Sequence, residues 1–324
     1  MASPHWRWSM EKEMKRTGII LTMILLVMPS APSGFAATVI HFGTLPVIQA
    51  LPLFVASEKG YFKDQGLTVE LVTFNSAMEK DVAFTSGQIA GYFGDTMTPM
   101  VLAANKVPIK MVATLFNTTG NRRMFAILMP SQSSHKTLSE VASAGIAVSS
   151  NTIVEYIMTK LLESQRVPLS QLNKIEVKNI PIRLQMLLTG QVAAAILPEP
   201  LVTLAESKGA RLLADDSGRG VSPTVLAFSD RFLSENPKEA KAFLSAVSRA
   251  VTFINGNPSD VRPIMNHSCQ VPEPLQQKFA VPVFPKLSLP DQNHILDVYG
   301  WLRTKGILKT EMTFKQMVAD GYLP

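Results

Sequence analysis

Ser149-Ser150-Asn151-Thr152 stand immediately ahead of Ile153-Val154-Glu155-Tyr156, so hydroxyls and an amide cluster where an apolar-faced helix begins. Thr152 and Glu155 have capping-box spacing, and the free N–H groups of a helix start carry partial positive charge that can hold a carboxylate, sulfonate or phosphate. The same hydroxyls serve equally well as plain caps. Two carboxylates follow an internal echo: Thr85-Ser86-Gly87-Gln88-Ile89-Ala90 is matched by Leu188-Thr189-Gly190-Gln191-Val192-Ala193. In each copy a helical run stops at a glycine, which tolerates the left-handed conformation, and a buried strand follows. Asp95 ends the first strand and Glu199 the second, as Gly94-Asp95-Thr96 and Pro198-Glu199-Pro200. The acids suit an amine and the helix start at Thr152 suits an anion. A zwitterion or aromatic amine would use both.

The chemistry these groups suit, where they do more than cap, is the holding of a ligand and not the breaking of bonds. The sequence has no His-Glu-x-x-His, no Gly-x-Ser-x-Gly and no phosphate-cradling glycine loop, and its one cysteine, Cys269, stands alone in Asn266-His267-Ser268-Cys269. With the five histidines scattered, the reading is a protein that is not an enzyme and uses no cofactor or metal.

The elements that must position these residues alternate short β-type runs with helical ones, the pattern of an α/β fold with mainly parallel sheets. Strands are expected at 38–42, 67–74, 89–93, 109–116 and 125–129, then at 145–149, 175–180, 192–197, 211–214 and 224–228. The polar stretch 130–136 reads as a crossing into a second lobe, and 224–228 as the strand that crosses back. This gives lobe I from 37–128 and 224–324, and lobe II from 129–223. Asn236-Pro237-Lys238-Glu239 starts a long helix whose apolar face runs through Ala240, Phe243, Leu244, Val247, Val251 and Ile254.

In parallel sheets ligands bind beyond the carboxyl ends of strands. In the first lobe that position selects Leu45, Pro46, Asn75, Ser76, Asp95, Thr96, Asn117 and Thr118. In the second it selects Ser150, Asn151, Thr152 and Glu199.

At 324 residues the chain is long enough for two compact domains. The formal net charge of +6 falls to +4 without residues 1–36, which is too mild and too evenly spread to argue for a nucleic-acid partner. Residues 1–36 read as a signal peptide: charged residues from Glu11 to Arg16, an apolar run from Gly18 to Met28, Pro29, then Gly34-Phe35-Ala36 as a cleavage pattern. An apolar run of about a dozen residues is short for a membrane span. The expected location is therefore the periplasm, with Cys269 unable to form an internal disulfide.

Several motifs together resemble a known family. Leu53 to Phe62 with Gly66-Leu67-Thr68-Val69-Glu70, Leu187 to Ala194, Pro198-Glu199-Pro200 and the tail from Phe314 to Pro324 are similar to ABC-transporter substrate-binding proteins. The group in question includes nitrate, sulfonate, taurine and thiamine-pyrimidine-precursor binders. The resemblance implies a two-lobed periplasmic-binding-protein fold of type II, joined by two crossing segments and closing on a small molecule. It also implies a membrane permease as partner and a monomeric chain. Ala193 stands where the family often has an acid, and Pro198 where it often has tryptophan. A ligand-sensing domain for a receptor is the alternative function, with an enzyme on the same fold a further one.

Overall fold

In the computed structural model, which describes residues 39–118, 120 and 123–324, ten strands alternate with helices. They are β1 Val39–Thr44, β2 Thr68–Thr73, β3 Gly91–Asp95, β4 Ile109–Phe116, β5 Phe125–Met129, β6 Ile146–Val148, β7 Lys174–Glu176, β8 Ala194–Pro198, β9 Arg211–Asp215 and β10 Thr224–Ser229. One sheet has the order β2-β1-β3-β10-β4 and the other β7-β6-β8-β5-β9. The signal peptide expected at 1–36 lies outside the described residues.

Each sheet contains one antiparallel strand, in the same fourth position. In the first it is β10, which runs against β3 and β4; in the second it is β5, which runs against β8 and β9. These are the two strands that arrive from the other sheet. A strand entering at the edge where its neighbours end must run opposite to them. Both crossings therefore lie at the carboxyl ends of β1 to β4 and of β6 to β8, where parallel sheets bind ligands.

That pairing corrects one expectation. Phe125–Met129 was assigned to the first lobe, with the crossing at 130–136, but β5 is an inner strand of the second sheet. The crossing is thus the segment 117–124. An apolar run has no mark of which sheet it joins, whereas Asn117-Thr118-Thr119-Gly120-Asn121 is turn-rich and was the better signal.

Packing follows the sequence pattern. The Pro237–Gly256 helix begins with proline in its first turn and Glu239 at its positive end, though Asn236 makes no side-chain cap. Its apolar face is buried, and Phe243 sits 4.6 Å from the ring of Phe42 and 5.3 Å from that of Phe228. Each such ring contributes about 2 to 3 kcal/mol by leaving water. A second core runs from Tyr92, Met97 and Met111 through Ile127, Ile146 and Tyr156 to Ile295 and Leu302, so it touches both sheets.

The crossings are laced together by one buried acid. Asp216 Oδ1 accepts from the N–H groups of Met124 at 2.8 Å and Phe125 at 3.0 Å. Its Oδ2 accepts a hydrogen bond from the Ser222 hydroxyl, so Thr118 Oγ1, 3.0 Å away, must donate to Ser222. Gly220 N–H reaches Thr118 O at 3.3 Å, with Gly218 and Gly220 both in the left-handed region at φ 69° and 63°. Replacing Asp216 by alanine strands two buried N–H groups and is expected to cost about 3 kcal/mol of unfolding free energy, read by urea denaturation. A loss within the error of a surface substitution would remove Asp216 from this role.

Candidate ligand-binding cleft

A cavity of about 540 Å³ opens at the crossing edge. Thr96, Thr114 and Asn117 line it from the first sheet, Tyr156 from the Ile153–Ser164 helix, and Arg219, Gly220, Val221 and Pro223 from the return crossing. A proline-punctuated strap from Pro285 to Asp291 closes one side, followed by Asn293, His294 and Asp297 of the Gln292–Thr304 helix. The strap is held extended across β4, where Thr114 N–H donates to Ser288 O at 2.7 Å.

Of the twelve residues expected from the sequence, Thr96 and Asn117 line this cavity. Thr96 is buried, with Oγ1 3.4 Å from His294 Nε2. Asn117 Oδ1 accepts from Thr118 N–H at 2.8 Å, which fixes its side chain, while buried Thr118 faces Ser222 behind the wall. Asp95 lies beside Thr96 but turns inward to cap the Met97–Ala104 helix, its Oδ1 accepting from Met97 and Thr98 N–H at 2.8 Å each.

The others serve local structure. Ser76 caps the Ala77–Thr85 helix by accepting from Glu79 N–H, and Asn75 N–H donates to the Glu79 carboxylate at 3.3 Å. Leu45 and Pro46 are half-buried in the turn after β1, where Leu45 O accepts from Val47 N–H. Thr152 caps the Ile153–Ser164 helix, accepting from Val154 N–H at 3.2 Å. Asn151, at φ 60°, donates its N–H to Glu155 Oε2 at 2.7 Å, and Ser150 N–H donates to Glu176 Oε2 at 2.9 Å.

Glu199 is the main correction to the expected site. Its side chain is buried against Arg123, with Nε 2.9 Å and Nη2 2.7 Å from Oε1, and Arg123 also forks onto Glu206. Oε2 accepts from Thr203 N–H and hydroxyl. The acid is spent on an ion pair and a helix start and does not line the cavity. The matching positions of Asp95 and Glu199 after similar strands are real, but both acids cap the helix that follows.

The residues the sequence did not flag are Tyr156, Arg219, Ser288, Asn293, His294 and Asp297. No motif carries them. The spaced prolines at 282, 285 and 290 were the available sign of an extended strap.

The Gln292–Thr304 helix, packed on Met97–Ala104, also ties the second lobe to the first. Tyr156 hydroxyl donates to Asp297 Oδ2 at 2.7 Å, and Lys160 Nζ to Oδ1 at 2.9 Å. The preceding residue, buried Glu155, takes Lys174 at 2.7 Å and Lys305 at 2.6 Å. Burial pushes both carboxyls up, but the hydrogen bonds from these cations and from Tyr156 outweigh it and hold them below the ordinary range.

A family model described as NMT1/THI5 like matches residues 48–261. The chain belongs to the NMT1/THI5-like family. No curated protein matches its sequence. Among solved structures, the alkanesulfonate-binding protein SsuA of Xanthomonas axonopodis pv. citri, bound to MOPS, is 14% identical with a TM-score of 0.73, over 88% of this chain and 100% of that one. The periplasmic aliphatic sulphonate binding protein SsuA of Escherichia coli is 12% identical with a TM-score of 0.74, over 87% and 92%. The periplasmic nitrate-binding protein NrtA of Synechocystis PCC 6803 is 16% identical with a TM-score of 0.66, over 86% and 84%. At such identities the likeness establishes the fold, that of the periplasmic binding proteins.

Burial pushes the His294 imidazole down to about 4, against the pull of Asp297 and Asp291. In the unfolded chain the ring takes its proton near pH 6.5, so stability falls as pH drops from there toward 4. The carboxylate pairs lose their contribution only below the ordinary carboxylate range, in a separate window. Between about pH 7 and about pH 4.5 the wild type should lose on the order of 2 kcal/mol of unfolding free energy. His294→Gln should flatten that slope in urea titrations, and an unchanged slope would show that the ring is solvated.

Proposed function

We propose that this chain is an extracytoplasmic solute-binding protein that captures a small polar molecule between its lobes for an ABC importer. The observation that carries the reading is the cavity at the crossing edge, walled by both lobes and by the segments that join them. Contacts made to both walls at once favour a closed arrangement, and only that differential binding shifts the population. The closed form is then what a membrane permease recognises. Thr96 and Asn117 contact the solute, with Asp95 and Thr118 holding them in place. Residues 1–36 act as an export signal, and the remaining chain works as a monomer in the periplasm.

Binding without turnover fits the chemistry of the described residues. Cys269 is buried, and burial pushes its thiol far up, so it offers no thiolate. Among the described residues the Thr96 hydroxyl stands 3.4 Å from His294 Nε2, beyond the reach of about 2.6–3.2 Å of a nucleophile–base hydrogen bond. No cluster of three metal-ligating side chains occurs among the described residues, and no described helix is long and apolar enough to cross a membrane.

A thermal-shift screen of small solutes tests the reading. A ligand at about a hundred times its Kd should raise the melting temperature by about 5 °C. Thr96→Val and Asn117→Ala should each weaken that ligand about tenfold by calorimetry, since each removes one hydrogen bond in a largely dry site. Unchanged affinity in both variants, or turnover of the bound solute, would overturn it.

A further inference from the structure

The Gln292–Thr304 helix is fixed to the first sheet at both ends. Ahead of it, Ser288 O accepts from Thr114 N–H of β4 at 2.7 Å; after it, Ala319 N–H donates to Met111 O of the same strand at 2.9 Å. Between these anchors its buried Ile295, Val298 and Leu302 share a core with Met97 and Met100. The Ile153–Ser164 helix is fixed to the second sheet instead. It follows β6, buries Ile157 and Leu161 in the core that holds Ile146 and Val148 of that strand, and through Glu155 takes Lys174 of β7 at 2.7 Å.

The two helices meet through pairs 137 to 150 residues apart in sequence. Tyr156 hydroxyl donates to Asp297 Oδ2 at 2.7 Å, Lys160 reaches Oδ1 at 2.9 Å, and Lys305 reaches Glu155 at 2.6 Å. The Tyr156 ring also stands edge-on to Trp301 and His294, at 5.7 and 6.1 Å. The hydroxyl carries most of this tie. Tyr156 is fully buried, whereas the Lys160 and Lys305 side chains are 24% and 31% exposed, so water and salt screen their pairs. A hydrogen bond from a buried hydroxyl to a carboxylate is worth more.

The tie adds a further point of attachment to the two chain crossings. Asn117 and Val221 of the crossings and Tyr156 and Asp297 of the tie all line the one cavity. Crossings alone let two bodies swing; another attachment stops the swing. We infer that the Tyr156–Asp297 contact is an interlobe latch, which holds the two bodies together by the chain's own bonds before any solute adds to them. A helix anchored to β4 at both ends does not travel with the second body. Separation therefore breaks the Tyr156 hydrogen bond and strips its ring from Trp301 in one step. The latch raises the resting share of the closed arrangement, and a solute that binds only that arrangement gains apparent affinity in proportion. The latch itself does not depend on what the cavity holds.

Nitroxide labels at Met78→Cys and Ile182→Cys test this by dipolar electron resonance on the full chain with no solute added. Met78 and Ile182 are exposed, on helices that start beyond the carboxyl ends of β2 and β7, and buried Cys269 stays unlabelled. One distance is expected with the latch intact. Tyr156→Phe keeps the ring and removes only the donor, while Asp297→Ala removes the acceptor at a side chain that is half in solvent. Each should raise the population at a longer distance about tenfold, as loss of one hydrogen bond to a charged group implies. Lys305→Met should add to either. A distribution unchanged in either variant, even with a lowered melting temperature, makes the contact ordinary packing and overturns the inference. So does a wild type already spread over both distances. Because no solute enters the measurement, a failed latch leaves the solute-binding reading standing, and a failed solute screen leaves the latch standing.

Discussion

A buried carboxylate joining two strands of chain governs this architecture. Asp216 accepts the N–H groups that open β5, and through Ser222 and Thr118 it grips the end of β4. Without it, the Met124 N–H on the outgoing crossing and the Ser222 hydroxyl on the return crossing would lose their buried acceptor. With it, both enter their new sheets from the same edge, and the antiparallel fourth strand in each sheet follows. The cavity lies at that edge because the crossings do.

The two sheets are not independent bodies. The Gln292–Thr304 helix packs on the first lobe and offers Asp297 to Tyr156 and Lys160 of the second, while Lys305 reaches Glu155. Tyr156 is fully buried, its ring edge-on to Trp301 at 5.7 Å. This contact holds or breaks as a unit, since packed interfaces rearrange between discrete states and do not stretch. Tyr156 and Asp297 also line the cavity, so the pair that ties the two sheets is part of its wall.

Much of this fold is legible in the sequence, because hydrophobic period and helix punctuation are local signals. The ten strand positions, the long helix after Asn236 and the helix-glycine-strand echo all depend on a few neighbouring residues. Sheet membership is not local, which is why Phe125–Met129 reads equally well in either lobe. The site suffers more. Asp95 and Glu199 are visible as acids at strand ends, but whether such an acid faces a ligand or folds back onto its own helix depends on one side-chain rotation. Glu199 is settled by Arg123, seventy-odd positions away in sequence. His294 and the strap before it come from a third segment whose approach to β4 leaves no periodic trace.

The capping carboxylates contribute to stability. A helix start is stabilised by a negative group, by roughly 0.3 to 1 kcal/mol when exposed. A binding protein can leave that position for its ligand or fill it from its own chain. Filling it makes the empty protein more stable and takes the anion's place; leaving it open does the reverse. This chain fills Asn75, Met97, Thr98, Asn151, Ser150 and Thr203 N–H groups with its own acids. The SsuA and NrtA structures share its backbone course, yet a shared course fixes only where helix starts point. Which charge they meet is decided by side chains such as Glu155, which also holds Lys174 and Lys305, and Glu176 at the end of β7.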